Sequence, residues 1–114
     1  MKYKIILVPF PFDDFSAHKV RPAICLTDPI GKYNHIVIAF ITSQVPSGLN
    51  KTDIVVEEGT KYFNKTGLKI TSTIRIHRLV TVPVGLIKRE LGKAPTELQK
   101  EIKQRLQELF DLKK

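Results

Sequence analysis

Three short apolar runs crowd into the first 42 residues: Tyr3 to Val8, Pro22 to Thr27 and His35 to Thr42, each rich in Ile, Val, Leu or Phe. Runs of this length bounded by turn residues read as β-strands. Pro9 and Pro11 are expected to end the first run, because proline donates nothing to a sheet ladder, and the stretch from Pro11 to Val20 reads as a mobile loop. Asp28-Pro29-Ile30-Gly31-Lys32-Tyr33-Asn34 carries turn chemistry between the second and third runs. Pro46 to Thr52 reads as a further loop, with Ile54-Val55-Val56 as a fourth strand. Thr71 to Leu79 sets Thr73, Arg75 and His77 against Ile74 and Ile76, one face toward a core and the other toward solvent or ligand. Arg78 breaks the alternation, as a residue near the strand's end would. Many short strands with turns at close spacing point to a strongly bent antiparallel sheet.

The last twenty residues differ in kind. Leu98, Ile102, Leu106, Leu109 and Phe110 recur on one helical stripe, Glu97 suits a first turn, and Pro95 suits the first helical position with Ala94 as the cap. An amphipathic helix there is expected to lie on the chain's own sheet, since a small sheet with one face uncovered needs a lid.

With 114 residues and no linker, repeat or low-complexity segment, the chain reads as a single domain: a barrel over 1–93 and a helix over 94–114. It carries no apolar run of the ~20 residues a membrane crossing needs, nor the pattern of a signal peptide, so a cytoplasmic location and no membrane partner are expected. Its one cysteine, Cys25, lies in an apolar run and reads as a small hydrophobe. The histidines are scattered and the cysteine has no companion, so neither a metal site nor a cofactor is expected. The net charge of +8 is unevenly placed: residues 59–93 hold Lys61, Lys65, Lys69, Arg75, Arg78, Lys88, Arg89 and Lys93 against Glu90 alone. Such a concentrated positive field either attracts a polyanion or serves as a solvated basic face.

Polar chemistry meets the apolar runs at two places, Arg21 just before Pro22 and Thr42-Ser43-Gln44 at the end of the third run. A guanidinium presents a planar fork of donors to phosphate, and a threonine hydroxyl both donates and accepts from a stiff rotamer. Taken alone, Arg21 reads equally as a partner for Asp13 or Asp14, and Thr42 as an ordinary strand threonine.

The order Val8-Pro9-Phe10-Pro11-Phe12, then Arg21-Pro22-Ala23, then Phe40-Ile41-Thr42-Ser43-Gln44 resembles the PemK/MazF family of endoribonuclease toxins. The likeness extends to Gly67-Leu68-Lys69, Ile74-Arg75-Ile76 and the helix after Gly92-Lys93. It implies a mainly β fold with a C-terminal helix, an SH3-like barrel of the type shared with gyrase poisons, assembled as a homodimer. It also implies a toxin of a type II toxin-antitoxin system that cuts single-stranded RNA without a metal. Attack by the ribose 2'-hydroxyl would leave a 2',3'-cyclic phosphate and a 5'-hydroxyl.

By the same resemblance Arg21 and Thr42 are the catalytic pair, and Ser43 and Gln44 line their groove. Some members carry aspartate two residues after the strand arginine, where this chain has Arg75-Ile76-His77. His77 is accordingly expected as the proton donor to the leaving oxygen. His18, Lys19, Lys69, Arg75 and Arg78 are candidate RNA contacts, and Phe12 and Phe15 candidate stacking platforms. The partners implied are an RNA substrate and a cognate antitoxin, with DNA met only through the antitoxin complex. Two other classes fit the same barrel: a toxin that poisons DNA gyrase by binding it, and a family member that binds RNA without cutting it.

Overall fold

A computed structural model of the protein describes residues 1–9 and 19–112. Six antiparallel strands, β1 (Lys4–Pro9), β2 (Val20–Cys25), β3 (His35–Thr42), β4 (Asp53–Val56), β5 (Ser72–Pro83) and β6 (Arg89–Lys93), form one sheet in the order β4-β5-β3-β2-β1-β6. A one-turn helix, α1 (Phe63–Thr66), precedes β5, and the terminal helix α2 (Thr96–Leu109) follows β6. The architecture is a mostly β half-barrel with a C-terminal helix.

Alternation along the strands sorts the apolar residues onto two faces. Ile5, Ile24, Ala39, Ile41, Ile54, Val56, Ile74 and Ile76 are buried together with Ala94, Leu98 and Ile102, so α2 is the lid of this face. Ile6, Val8, Ala23, Cys25, Ile36, Ile38, Phe40 and Val82 form a second buried cluster on the other face. The helix follows the expected stripe except at its end: Phe110 is exposed where Leu98 and Ile102 are buried. Cys25 behaves as a small apolar group, its thiol donating to the Thr27 carbonyl at 3.1 Å and its pKa pushed up by burial.

Several boundaries depart from the sequence expectation, each for a local reason. β1 ends at Pro9, one residue past the expected run, because the pairing with β6 stops at Leu7 and Pro9 faces only Val20. β2 begins two residues early and contains Pro22, which is tolerated because β3 pairs with β2 only from Ala23 onward. Pro95 is the cap of α2, not its first residue: its backbone is extended at ψ 167° and its carbonyl accepts the Gln99 N–H. β5 runs four residues past Leu79, so Arg78 lies within the strand.

The placement of Arg78 comes from an irregularity that alternation does not show. β3 pairs Ala39 with Leu79 but Ile41 with Ile74, so Arg75, Ile76, His77 and Arg78 stand opposite Phe40 alone. A bulge of this kind bends the strand and re-aims its side chains. β6 and α1 were not apparent in the sequence. They lock together through glycine: a Cβ on Gly67 would lie 2.0 Å from the Leu91 carbonyl oxygen, and one on Gly92 would lie 2.3 Å from that of Lys65. No described helix is long and apolar enough to cross a membrane.

Candidate active site

Continuing the β2–β3 register two steps past the last paired residues, Ala23 and Phe40, brings Pro22 opposite Ile41 and Arg21 opposite Thr42. Pro22 cannot extend the ladder, so the strand ends stay unzipped. The opening is a cleft of about 560 Å³ lined by Val20, Arg21, Pro22, Phe40 to Gln44, Pro46, Arg75 and Arg78. It lies on the sheet face opposite α2, since Phe40 and Ala23, which share the alternation of Thr42 and Arg21, belong to the second cluster.

Thr42 is held by its own turn. Its Oγ1 accepts the Gln44 N–H at 3.2 Å, which fixes the oxygen and leaves the hydroxyl proton to be donated. Arg75 is aimed by a buried carboxylate: its Nε donates to Asp53 Oδ1 at 2.8 Å, and Asp53 Oδ2 accepts the Asn50 N–H at 2.9 Å. The bulge sends Arg75 and Arg78 to the same cleft that Arg21 enters from β2. Arg21, Arg75, Arg78 and Thr42 thus line one opening whose described lining holds no carboxylate or histidine. Such a site is complementary to phosphate.

Of the residues expected from sequence, the cleft brings together Arg21, Thr42, Ser43, Gln44, Arg75 and Arg78. His77 is not among its lining residues. It is exposed, and its Nδ1 shares a hydrogen bond with Thr52 Oγ1 at 2.8 Å. Lys69 is exposed between α1 and β5, and Lys19 is exposed just ahead of β2. Phe12, Phe15 and His18, with the mobile-loop expectation, lie outside the described residues. Sequence reasoning missed Phe40 and Pro46 as walls and Asp53 as the anchor of Arg75. The isolated acid just before Ile54-Val55-Val56 was the only signal for Asp53. Among the described residues no group of three or more His, Cys, Asp or Glu side chains could hold a metal ion.

Thr73, directly opposite Thr42 on β5, has a buried hydroxyl with no hydrogen-bond partner among the described residues. An orphaned buried polar group is destabilising. Thr73→Val, which keeps the shape and removes the hydroxyl, is expected to stabilise the fold by about 1 kcal/mol, read as a rise in the urea midpoint at unchanged slope.

Comparison with known proteins gives this geometry a context. The family described as PemK-like, MazF-like toxin of type II toxin-antitoxin system matches residues 1–110. The chain belongs to this family. Its fold is that of solved relatives at low identity. One is the Mycobacterium tuberculosis toxin MazF-mt6, 20% identical with a TM-score of 0.73, over 97% of this chain and 99% of that one. A second is an endoribonuclease in complex with its cognate antitoxin from a mycobacterial species, 10% identical at 0.75, over 100% and 97%. A third is MazE-MazF from Deinococcus radiodurans, 13% identical at 0.66, over 98% and 96%. No curated protein matches the chain in sequence. The family's half-barrel and helix are thus kept in a chain whose sequence has moved far from those of these relatives.

Proposed function

We propose that this family member is a metal-independent, sequence-selective endoribonuclease that cuts single-stranded RNA by attack of the ribose 2'-hydroxyl. The observation that carries the reading is the convergence of Arg21 and Thr42 on one cleft with Arg75 and Arg78. In-line attack forms the O2'–P bond and breaks the P–O5' bond as the 2'-hydroxyl gives its proton to a base and the leaving 5'-oxygen takes one from an acid, giving a 2',3'-cyclic phosphate and a 5'-hydroxyl. Arg21 holds the non-bridging phosphoryl oxygens as negative charge builds on them. Thr42, its oxygen fixed by the Gln44 N–H, donates a hydrogen bond to the same phosphate and sets the angle of attack. Arg75 and Arg78 hold the adjoining backbone, and Ser43 and Gln44 meet base edges or sugar. Lys19 and Lys69 extend the basic track beyond the cleft.

The proton donor does not lie among the described cleft residues. His77 is given a holding role, tying β5 to Thr52, in place of the acid role that the Arg-x-His pattern suggested. His77→Asn is therefore expected to cut RNA with the same pH–rate profile as the parent across pH 5 to 9. Loss of one limb of that profile would return His77 to the chemistry.

The partners proposed are an RNA substrate, a second copy of the chain and a cognate antitoxin, the last also being the route by which the complex meets DNA. A cognate antitoxin accompanies the mycobacterial endoribonuclease in its complex and MazE accompanies MazF in that of Deinococcus radiodurans, and the basic cleft suits an acidic segment of such a partner. End-group analysis of digested RNA tests the proposal. Products that accept phosphate from a polynucleotide kinase without prior dephosphorylation carry 5'-hydroxyls and support it. Products carrying 5'-phosphates contradict the 2'-hydroxyl route. An intact RNA alongside inhibited gyrase supercoiling would indicate a binding toxin.

A further inference from the structure

The Asp53–Arg75 pair is placed where a carboxylate ought to weaken the site. Asp53 opposes Arg75 in the β4–β5 register, its side chain is fully buried, and it adds negative charge beside a cleft proposed to hold a polyanion. By charge alone its removal would tighten RNA binding. Geometry argues the opposite. Asp53 Oδ1 takes the Arg75 Nε–H at 2.8 Å, so the edge of the guanidinium left for the cleft is its Nη pair, the fork that matches phosphate oxygens. Asp53 Oδ2 takes the Asn50 N–H at 2.9 Å, and the Asp53 N–H returns to the Asn50 carbonyl at 3.0 Å. One carboxylate therefore ties the bulge carrying Arg75 to the far end of the segment that leaves Thr42 and walls the cleft with Ser43, Gln44 and Pro46.

We propose that Asp53 is a positioning residue for RNA binding: it does not touch substrate, but anchors Arg75 to the segment that walls the cleft, so that losing this negative charge weakens RNA binding through Arg75. The inference rests on the nuclease reading. It predicts a sign that simple electrostatics reverses.

The test measures binding of a fluorescent, random-sequence 2'-O-methyl oligoribonucleotide pool, which lacks the attacking hydroxyl, to parent, Asp53→Asn, Arg75→Ala and the double variant. Asp53→Asn is expected to weaken binding roughly tenfold in the parent background and by less than about twofold in the Arg75→Ala background, the coupling of residues that act as one unit. Circular dichroism at the assay temperature verifies that each variant is folded. Equal or tighter binding by Asp53→Asn, or the same loss with and without Arg75, overturns the inference while leaving the nuclease reading in place. A parent that neither binds the pool nor cuts RNA overturns both. Should Asp53→Asn fail to fold, Arg75→Lys decides. That variant keeps the charge without the Nε anchor and fork, and is expected to bind as weakly as Arg75→Ala. Parent-like binding by Arg75→Lys overturns the inference.

Discussion

Arg21→Ala is expected to lower the rate of RNA cleavage by about 10²- to 10³-fold, the loss typical of removing one preorganised donor from a developing oxyanion. The unfolding transition should stay cooperative, since the sheet ladders through Val20, Pro22 and Ala23 do not depend on the side chain at 21. Single-turnover kinetics separates the two sources of loss. If Arg21 acts on the transition state, the cleavage rate constant falls while the RNA concentration at half-saturation moves by less than about threefold. Arg21→Lys is informative beside it. A lysine keeps the charge but lacks the planar fork, so only partial recovery is expected. Full activity in Arg21→Lys would reduce the role of Arg21 to that of a charge.

Gly67→Ala has the largest expected effect on stability. Gly67 caps α1 with φ at +73°, where a side chain costs about 1–2 kcal/mol. The new Cβ would also lie 2.0 Å from a backbone oxygen of Leu91. Because that neighbour is backbone within β6, no rotamer change relieves the clash, and overpacking adds about 1–3 kcal/mol. A total near 3 kcal/mol would lower the melting temperature by on the order of 10–20 °C for a domain of this size. Gly59→Ala is the control. Gly59 also has positive φ, at +86°, but nothing lies within 4 Å of its added Cβ, so it should show the conformational cost alone. Comparable losses at the two sites would mean that the contact between α1 and β6 is looser than the structure has it.

How much of this was legible beforehand follows from how local each signal was. β3, with its unbroken apolar run, has the bounds that the sequence suggested. The Leu98 and Ile102 stripe identified the buried face of α2, because helical periodicity is local. β6 escaped notice: Arg89-Glu90-Leu91-Gly92-Lys93 has one apolar side chain, and it forms a strand only because β1 offers a ladder. In the candidate site, Arg21 and Thr42 stood out as polar residues at the ends of apolar runs. The bulge that gathers Arg75 and Arg78 and separates them from His77 did not. It exists in the mismatch between β3 and β5, and strict alternation had placed His77 with Arg75. Asp53 was hidden for the same reason, since its importance depends on which residue of β5 it opposes.

The most direct test of the account is incubation of the purified protein with a long single-stranded RNA in excess EDTA, beside the Arg21→Ala and Thr42→Val variants. The account predicts discrete cleavage by the parent, unaffected by the chelator, and loss of that cleavage in both variants. Cleavage that persists in Arg21→Ala, or that EDTA abolishes and added divalent metal restores, would contradict a metal-independent site built on Arg21 and Thr42.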